Sequence, residues 1–462
     1  MGLLIRGGDV VTTEGVFRAD VYADDDGIIR QVGRDLEPAS SSDRVVDAGG
    51  QLVLPGAIDP HTHVALPFMG TVSCDDWFDA TAAGCVGGTT TIFDFVIGSR
   101  GERPLETLEA WMAKAEGKAV SDYAYHMAVI EWNDDVEREI PEVVARGIPS
   151  FKAFTAYKGA LMLEDEELFK AMRAIAAAGG ILTIHAVNGA VLNALAEAFA
   201  AEGRLGTDVH HLCQPPESEG EATHRAIRLA GLAGLPLYVV HVTCDAALKE
   251  IQEANKRGQE VYCETCIQYL LLDDSLYSLP DFEGAKYVAS PPLRKPSDQE
   301  ALWQGIARRT VHTLGTDHAP FHFETQKVMG KDDFRKIPNG MPGVEERLSL
   351  LYTYGVETGR ITLPQLVEVC CTAPARIFGI DDRKGAIRPG ADADIVLYDP
   401  HWEGTFSVKT QRSTTDYNCY EGWKRKGRPT QVFVRGRQVV RDSAFCGEPG
   451  FGRHLARKPR RR

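Results

Sequence analysis

The amino-acid sequence predicts an α/β protein, a TIM-like (β/α)8 barrel with a small β-sandwich domain formed from the N- and C-terminal segments. Eight short apolar runs alternate with helical stretches through the middle of the chain. Both ends instead show strand-like runs joined by Gly and Asp turns. The length of 462 residues also exceeds what one hydrophobic core usually contains. Because alternating strands and helices favour a parallel sheet, the middle of the chain is predicted to form the barrel.

The two ends are expected to pair with each other, so that the barrel is an insertion between them. We predict the first part of the β-domain at residues 1–53, the barrel at 54–383, the second part of the β-domain at 384–442 and a C-terminal tail at 443–462. The tail ends in "ARKPRRR" and is basic on an acidic chain. It is interpreted either as a solvated end or as a contact with another subunit.

Composition and charge exclude several classes of partner. The net charge of −14 disfavours nucleic acid and anionic membranes as main partners. No run approaches the roughly 18 apolar residues of a membrane span, and the N-terminus lacks the apolar stretch of a signal peptide. A cytoplasmic protein is therefore expected. The ten cysteines, including Cys263 and Cys266 of "CETC", are predicted to be reduced and to pack as small apolar groups.

The barrel prediction rests on eight strand candidates. In order they are "GAIDPHTH", "GGTTTIFDFV", "SDYAYHMAVIE", "GIPSFKAF", "GGILTIHA", "LPLYVVHVT", "QEVYCETCIQYL" and "VHTLGTDHAPF". The intervening segment "EDEELFKAMRAIAAAGG" begins with acidic residues and ends with Gly, which is typical of a helix. In such a barrel the chemistry takes place at the carboxyl ends of the strands.

Polar side chains with metal-binding capacity lie at those predicted strand ends. They are His61 and His63 on the first strand, Lys152 on the fourth, His185 on the fifth, His241 on the sixth and Asp317 on the eighth. Each has a structural interpretation when taken alone, such as a hydrogen-bonded His, a helix-capping Asp or an ion-paired Lys. Residues two apart on a strand share a face, so the two histidines of "HTH" can reach one ion. The joint pattern favours a metal centre.

Lys152 is unusual because it lies inside the apolar run "GIPSFKAFTAY". Burying an unpaired ammonium costs on the order of several kcal/mol, so burial lowers the pKa of such a lysine. The neutral amine can add CO2 to form a carbamate, N6-carboxylysine, whose two oxygens can bridge two cations. We predict one metal site from His61, His63 and Asp317, a second from His185 and His241, and Lys152 as their bridge. Imidazole and oxygen ligands favour two Zn²⁺ ions, although Mn²⁺, Co²⁺ and Fe²⁺ also suit them.

The sequence resembles the cyclic amidohydrolases of the dihydropyrimidinase and D-hydantoinase family over essentially its whole length. The matching stretches are "GAIDPHTHVALPFMGT", "SFKAFTAYKGALML", "TIHAVN", "VVHVT", "SPPLR", "GTDHAPF" and "GKDDFRKIPNGMPGVEERL". The last stretch favours this branch over dihydroorotase and allantoinase. The resemblance implies hydrolysis of 5,6-dihydropyrimidines (dihydrouracil, dihydrothymine) or 5-substituted hydantoins to N-carbamoyl amino acids.

The resemblance also implies roles for individual residues. A metal-bridging hydroxide attacks the ring carbonyl, Asp317 transfers the proton to the departing nitrogen, and Tyr157 stabilises the oxyanion. Ser290 and Asn339 hold the amide and imide edge of the ring, largely through backbone groups. Without the resemblance, Tyr157 is equally a core aromatic residue, and "SPPLR" and "IPNG" are turns.

The expected partners are a small cyclic amide or imide and further copies of the chain, because family members are commonly homotetramers. Two alternatives are kept. One is another amidohydrolase branch such as allantoinase. The other is a non-enzymatic scaffold protein of the same family that has lost metal ligands. The scaffold reading is disfavoured, since all six ligand positions are filled.

Overall fold

The computed structural model describes residues 1–460, whose strands form an eight-stranded sheet, a nine-stranded sheet and a two-stranded hairpin. The strands are β1 (Leu3–Val11), β2 (Val16–Ala23), β3 (Ile29–Gly33), β4 (Arg44–Asp47), β5 (Leu52–Pro55), β6 (Ala57–Thr62), β7 (Pro67–Phe68), β8 (Thr71–Val72), β9 (Thr89–Val96), β10 (Asp122–Ala128), β11 (Ser150–Phe154), β12 (Ile181–His185), β13 (Leu237–Val239), β14 (Val261–Cys266), β15 (Thr313–Gly315), β16 (Ile395–Thr405), β17 (Lys424–Val434), β18 (Arg437–Arg441) and β19 (Ala444–Phe445). The α-helices are α1 (Trp77–Val86), α2 (Pro104–Ala115), α3 (Asp134–Ala145), α4 (Asp165–Ala177), α5 (Gly189–Ala201), α6 (Pro216–Ala233), α7 (Asp245–Lys256), α8 (Ile267–Leu271), α9 (Pro296–Ala307), α10 (Arg347–Leu351), α11 (Leu363–Val367) and α12 (Ala373–Phe378).

The eight-stranded sheet is a nearly closed barrel. Its strand order is β6, β9, β10, β11, β12, β13, β14, β15, and every neighbouring pair is parallel. β9 and β10 are buried along their whole length, as expected for parallel strands covered on both faces. All eight predicted strands are therefore confirmed, and they follow one another around the barrel in sequence order.

Arg347 joins the two edge strands and so closes the barrel. Its side chain is fully buried and donates hydrogen bonds to the carbonyl of Ile58 in β6 at 2.8 Å and to that of Leu314 in β15 at 2.6 Å. A third bond at 3.0 Å goes to the hydroxyl of Thr89 in β9. This cation compensates backbone carbonyls that a complete β-ladder would otherwise have paired.

The helix predicted between the fourth and fifth barrel strands is α4. Glu164 and Glu167 form a reciprocal capping box at its N-terminus, which satisfies backbone N–H groups of the first turn. Leu168, Met172 and Ile175 are fully buried, and their spacing places them on one face of the helix. The acidic residues at the start of this segment and the Gly residues at its end thus predicted the element correctly.

The two ends of the chain form one nine-stranded sheet, with the main order β19, β18, β17, β16, β5, β1, β2, β3 and with β4 paired to β1. β5 lies between the N-terminal strand β1, with which it is parallel, and the C-terminal strand β16, with which it is antiparallel. One apolar core includes Ile5 and Val21 from the first half and Ile395 and Phe433 from the second. The predicted pairing of the two ends is confirmed by this sheet.

The basic tail crosses the barrel at the N-terminal ends of its strands. Backbone hydrogen bonds join Arg453 and Leu455 to Tyr123, at the start of β10. Farther along, the N–H of Arg457 donates to Gly147 before β11. The tail is therefore attached to its own barrel as far as residue 460, and the last two residues of the predicted tail lie outside the described part of the chain.

Among the described helices, none has the length and apolar composition of a membrane-spanning segment.

The tail contributes to stability through Leu455, which is buried against Phe93 and Phe378. We expect Leu455→Ala to lower the free energy of unfolding by about 2–5 kcal/mol, because it leaves a cavity in an apolar cluster. Urea unfolding followed by circular dichroism measures the change. The exposed neighbour Lys458 is the control, and Lys458→Ala should shift the value by less than about 0.5 kcal/mol. A Leu455→Ala effect as small as the one expected for Lys458→Ala would show that burial of the Leu455 side chain adds no stability.

Candidate metal centre

The predicted functional residues line one cavity at the carboxyl end of the barrel, with a volume of about 610 Å³. The cavity contains all nine of them: His61, His63, Lys152, Tyr157, His185, His241, Ser290, Asp317 and Asn339. Its volume is typical of a site for a small molecule. The strand-end rule thus identified six residues that are dispersed in the sequence and meet in this cavity, and the family resemblance supplied Tyr157, Ser290 and Asn339.

His61, His63 and Asp317 form the first group. The Nε2 atoms of both histidines lie 3.1 Å from Oδ1 of Asp317. Each residue offers one ligand atom, and these atoms all lie within 4.8 Å of one another. Despite this short distance, Nε2 of His61 and the Asp317 carboxylate do not have hydrogen-bond geometry, and this buried nitrogen has no hydrogen-bond partner among residues 1–460. A cation at this point would satisfy that nitrogen, so the residues present fit a metal ion.

His185 and His241 form the second group. Nδ1 of His185 lies 2.8 Å from Nε2 of His241. Burial lowers the pKa of His185 to about 3, with the Lys152 ammonium contributing, and it lowers the pKa of His241 well below its usual value. Both rings are therefore neutral, as metal ligands must be. Nε2 of His185 also has no hydrogen-bond partner in the described part of the chain.

Lys152 lies in β11 with its side chain about 1% exposed. Its Nζ is 4.6 Å from the ring centre of Phe95 and 5.2 Å from that of Phe154. Burial lowers its pKa to about 8, although the carboxylates of Asp317 and Glu264 oppose the shift. The lysine thus has an appreciable neutral fraction near neutral pH, which is the form that reacts with CO2.

The negative charges around the first group would stabilise a bound cation. Burial by itself disfavours a proton on His61, but Glu264 and Asp317 outweigh it and raise the pKa of His61 to about 9. Burial likewise disfavours the Asp317 carboxylate, yet His61 and His63 lower its pKa well below the usual value. The same negative field that holds a proton on His61 would stabilise a divalent ion in its place.

Glu264 is a site residue that the sequence interpretation missed. Its Oε1 lies 2.6 Å from Nδ1 of His61 and accepts the backbone N–H of His241 at 2.9 Å, while Oε2 accepts the hydroxyl of Tyr238 at 2.8 Å. A carboxylate bound to Nδ1 fixes the ring so that Nε2 faces the ion. One carboxylate therefore orients a residue of each predicted metal site.

The signal that could have found Glu264 is an acidic residue inside an apolar strand of the barrel. Glu264 lies within "CETC", a motif that was interpreted from its two cysteines alone. Cys263 and Cys266 are free, buried and raised in pKa by burial, which agrees with their predicted structural role. The ionisable residue between the two buried cysteines was thus a better indicator of the site than the C-x-x-C spacing.

His318, which follows Asp317, takes part in a second hydrogen-bond network. Its Nε2 lies 3.0 Å from Oδ2 of Asp75, and its Nδ1 accepts the backbone N–H of Gly343 at 3.2 Å. Its carbonyl accepts the N–H of His63 at 2.9 Å. Asp75 in turn accepts hydrogen bonds from residues 413 and 414. The C-terminal part of the chain is thereby connected to the metal centre.

Three of the predicted functional residues have left-handed backbone conformations, which non-glycine residues rarely adopt. The φ angles are 65° for Tyr157, 38° for His241 and 52° for Asp317. Such conformations cost about 1–3 kcal/mol each and persist only where the surrounding structure imposes them. All three residues line one cavity. The surrounding structure therefore fixes the direction of their side chains at a cost in local stability.

The substrate side of the cavity contains Tyr157, Ser290 and Asn339. Burial raises the pKa of the Tyr157 hydroxyl to about 12, although interactions with the other two residues oppose the shift. The hydroxyl of Ser290 donates to the side-chain oxygen of Gln214 at 2.9 Å. Arg100 holds the loop after Tyr157 by donating to the carbonyls of residues 160 and 162. Neither Gln214 nor Arg100 was identified from the sequence.

Comparison with known proteins shows similarity to amidohydrolases, among them D-hydantoinases and dihydropyrimidinases. The model of the Amidohydrolase family matches residues 52–439. A D-hydantoinase of Geobacillus stearothermophilus is 46% identical over 99% of this chain and 97% of that protein. A dihydropyrimidinase of Rattus norvegicus is 40% identical over 99% of this chain and 89% of that protein. The crystal structure of dihydropyrimidinase from Brevibacillus agri NCHU1002 is 45% identical, covers 100% of both chains and has a TM-score of 0.98.

Glu264 generates a prediction about metal affinity. We expect Glu264→Gln to weaken metal binding by about 10–100-fold, because the neutral amide no longer fixes the His61 ring or raises its basicity. Metal content after dialysis against graded chelator concentrations measures the effect. Glu253→Gln is the control, since Glu253 is exposed and its carboxylate pairs with the exposed Lys256. Unchanged metal retention in the Glu264 variant would contradict this role.

Proposed function

The chain belongs to the amidohydrolase family, and on that premise we propose that it opens the ring of cyclic amides. The proposed substrates are 5,6-dihydropyrimidines and 5-substituted hydantoins, and the products are N-carbamoyl amino acids. The proposal rests on one observation above all: four imidazoles, a carboxylate and a buried lysine line one cavity. Relatives named D-hydantoinase and dihydropyrimidinase support this substrate class over the allantoinase alternative and over a non-enzymatic scaffold.

The residues present fit two divalent metal ions, for which Zn²⁺ is the favoured identity. His61, His63 and Asp317 would hold one ion, His185 and His241 the other, and Lys152, as a carbamate, both. When bound, the ions supply a nucleophile from water at neutral pH and polarise the amide carbonyl. The absence of a carboxylate ion-paired with Lys152 in residues 1–460 supports the carbamate, since that position otherwise leaves an ammonium between aromatic rings.

Asp317 and Tyr157 are the proposed catalytic residues. The lowered pKa of Asp317 keeps it ionised, so it can accept a proton from the attacking water and pass it to the departing ring nitrogen. The raised pKa of Tyr157 keeps its proton in place at neutral pH. Its hydroxyl can therefore donate to the carbonyl oxygen as negative charge develops there.

Ser290 and Asn339 are proposed to bind the polar edge of the ring. Because the Ser290 hydroxyl already donates to Gln214, the backbone groups of this residue remain for the substrate. An imide edge presents alternating carbonyl acceptors and N–H donors, which backbone groups match well. Both residues line the same cavity as the metal ligands, so the ring can contact both at once.

The remaining wall is apolar and fits a substituent on the ring. It consists of Leu66, Phe68, Ile130, Phe154 and Leu161. A bare dihydropyrimidine ring would leave this wall without contacts, whereas an apolar or aromatic side chain of a hydantoin would bury it. This wall favours substituted hydantoins among the candidate substrates. The active form is proposed to be a homotetramer, as the family resemblance implies, and the composition favours a cytoplasmic location.

The substrate proposal is tested by comparing initial rates on dihydrouracil, a 5-aryl hydantoin and allantoin with the zinc-loaded protein. We expect turnover of the first two, with the hydantoin preferred because its substituent contacts the apolar wall. Allantoin should be a poor substrate. Hydrolysis of allantoin alone would overturn the proposal, and so would a fully metal-loaded protein that hydrolyses none of the three.

Lys152 generates the second prediction. We expect Lys152→Ala to lose the mass of one CO2 group from the intact protein, to bind fewer than the wild type's two metal ions and to lose nearly all activity. Mass spectrometry, metal analysis and a hydantoin assay measure these changes, and bicarbonate with a short carboxylic acid should restore part of the activity. Lys158→Ala, on the exposed part of the following loop, is the matched control and should behave as wild type. Full activity of the Lys152 variant without additives would refute the bridging role.

A further inference from the structure

We infer that Lys327 is a positioning residue for recognition of the imide edge of the substrate, an inference that rests on the proposed function. Lys327 begins the short 3-10 helix Lys327–Gly330 and does not line the cavity. Its side chain is completely buried. A buried ammonium must be compensated by polar partners, so the identity of those partners indicates its role.

The partners of Lys327 are three backbone carbonyls. Its Nζ donates to the carbonyl of Val288 at 2.8 Å and to those of Pro338 and Gly340 at 2.7 Å each. An ammonium has three N–H donors, so all of them are used. Within residues 1–460 no carboxylate forms an ion pair with it. Burial lowers its pKa to about 7, but the three carbonyl acceptors require three N–H groups and therefore the ammonium form. A buried lysine that serves only stability would more commonly be paired with an acid.

The three carbonyls flank the two proposed ring-binding residues. Two belong to the immediate neighbours of Asn339, and the third belongs to Val288, two positions before Ser290. The carbonyl of Val288 also accepts the backbone N–H of Gly340 at 3.0 Å. Lys327 therefore joins two loops that are distant in the sequence and that form one side of the cavity.

The turn that carries Asn339 is confined on its other side as well. Gly340 has a φ of 153°, and a Cβ atom there would lie 2.3 Å from the carbonyl oxygen of Ala319. Ala319 lines the cavity two residues after Asp317. The turn is thus fixed between the Lys327 ammonium and the strand end that carries the proposed catalytic carboxylate.

The charge of Lys327 has a direct consequence for the backbone donors. The carbonyl of Pro338 and the N–H of Asn339 belong to the same peptide group, so a charge-assisted bond to this carbonyl polarises that N–H. The N–H becomes a stronger donor toward a carbonyl of the imide. Lys327 thereby contributes both the orientation and the donor strength of a group that touches substrate, without contacting substrate itself.

The test uses the metal-loaded, full-length protein and the cyclic imide that the wild type hydrolyses best. We expect Lys327→Met, which keeps the length of the side chain and removes all three donors, to raise KM about tenfold while kcat changes less than about threefold. Metal content should equal that of the wild type, because the metal ligands are not among the partners of Lys327. Lys327→Gln, which retains two N–H donors, should give an intermediate KM.

Lys286→Met is the matched control. Lys286 lies two positions before Val288 and donates to Glu283 at 2.5 Å, so its loss should leave KM unchanged. A folded Lys327→Met protein whose KM is within about twofold of wild type would overturn the inference. So would a joint loss of kcat, metal and thermal stability, since that pattern indicates a purely structural role. A wild-type protein that is inactive on all cyclic imides would instead overturn the proposed function, and this inference with it.

Discussion

Closure of the parallel barrel is the constraint on which the site depends. β6 and β15 stand at opposite ends of the strand order, and Arg347 joins them through one carbonyl of each. Closure places His61, on the first strand, 3.1 Å from Asp317, which follows the last. Because every strand runs in the same direction, side chains from the remaining strands reach the same mouth. A barrel open at this edge would keep His185 beside His241 but would separate His61 from Asp317.

The dielectric constant inside that mouth is low. An unpaired charge there therefore costs free energy, and the attraction between opposite charges is stronger than in water. Glu264 is the clearest example, since a single carboxylate binds the ring of His61 and the backbone of His241. Lys152 is the exception, because within residues 1–460 its ammonium lies close to two aromatic rings and forms no ion pair with a carboxylate. Conversion of that ammonium to an anion between two cations would remove the anomaly, and this is why the lysine is central to the proposed chemistry.

Local patterns predicted the eight barrel strands and the six candidate metal ligands, whereas Tyr157, Ser290 and Asn339 followed only from the family resemblance. Apolar runs, helix caps and the position of a polar residue at a strand end can be recognised within a few neighbouring residues. Arg347 and Lys327 could not be found in this way, since their partners are distant in the sequence. Glu264 showed a local signal, an acidic residue in an apolar strand, but its role depends on His61, which closure brings beside it. The path of the tail across its own barrel was likewise decided by long-range contacts.

The shared terminal sheet has a consequence for the order in which the protein can fold during synthesis. β1 to β5 pair with one another, but the other edge of β5 pairs with β16, so β5 has its second neighbour only after the whole barrel segment has been translated. At the usual rates of elongation that interval is on the order of tens of seconds. An unpaired edge of β5 is accessible to a chaperone or a neighbouring nascent chain during that interval. The topology that ties the two ends together in the finished molecule thus makes the first-made part of the chain the last to be completed.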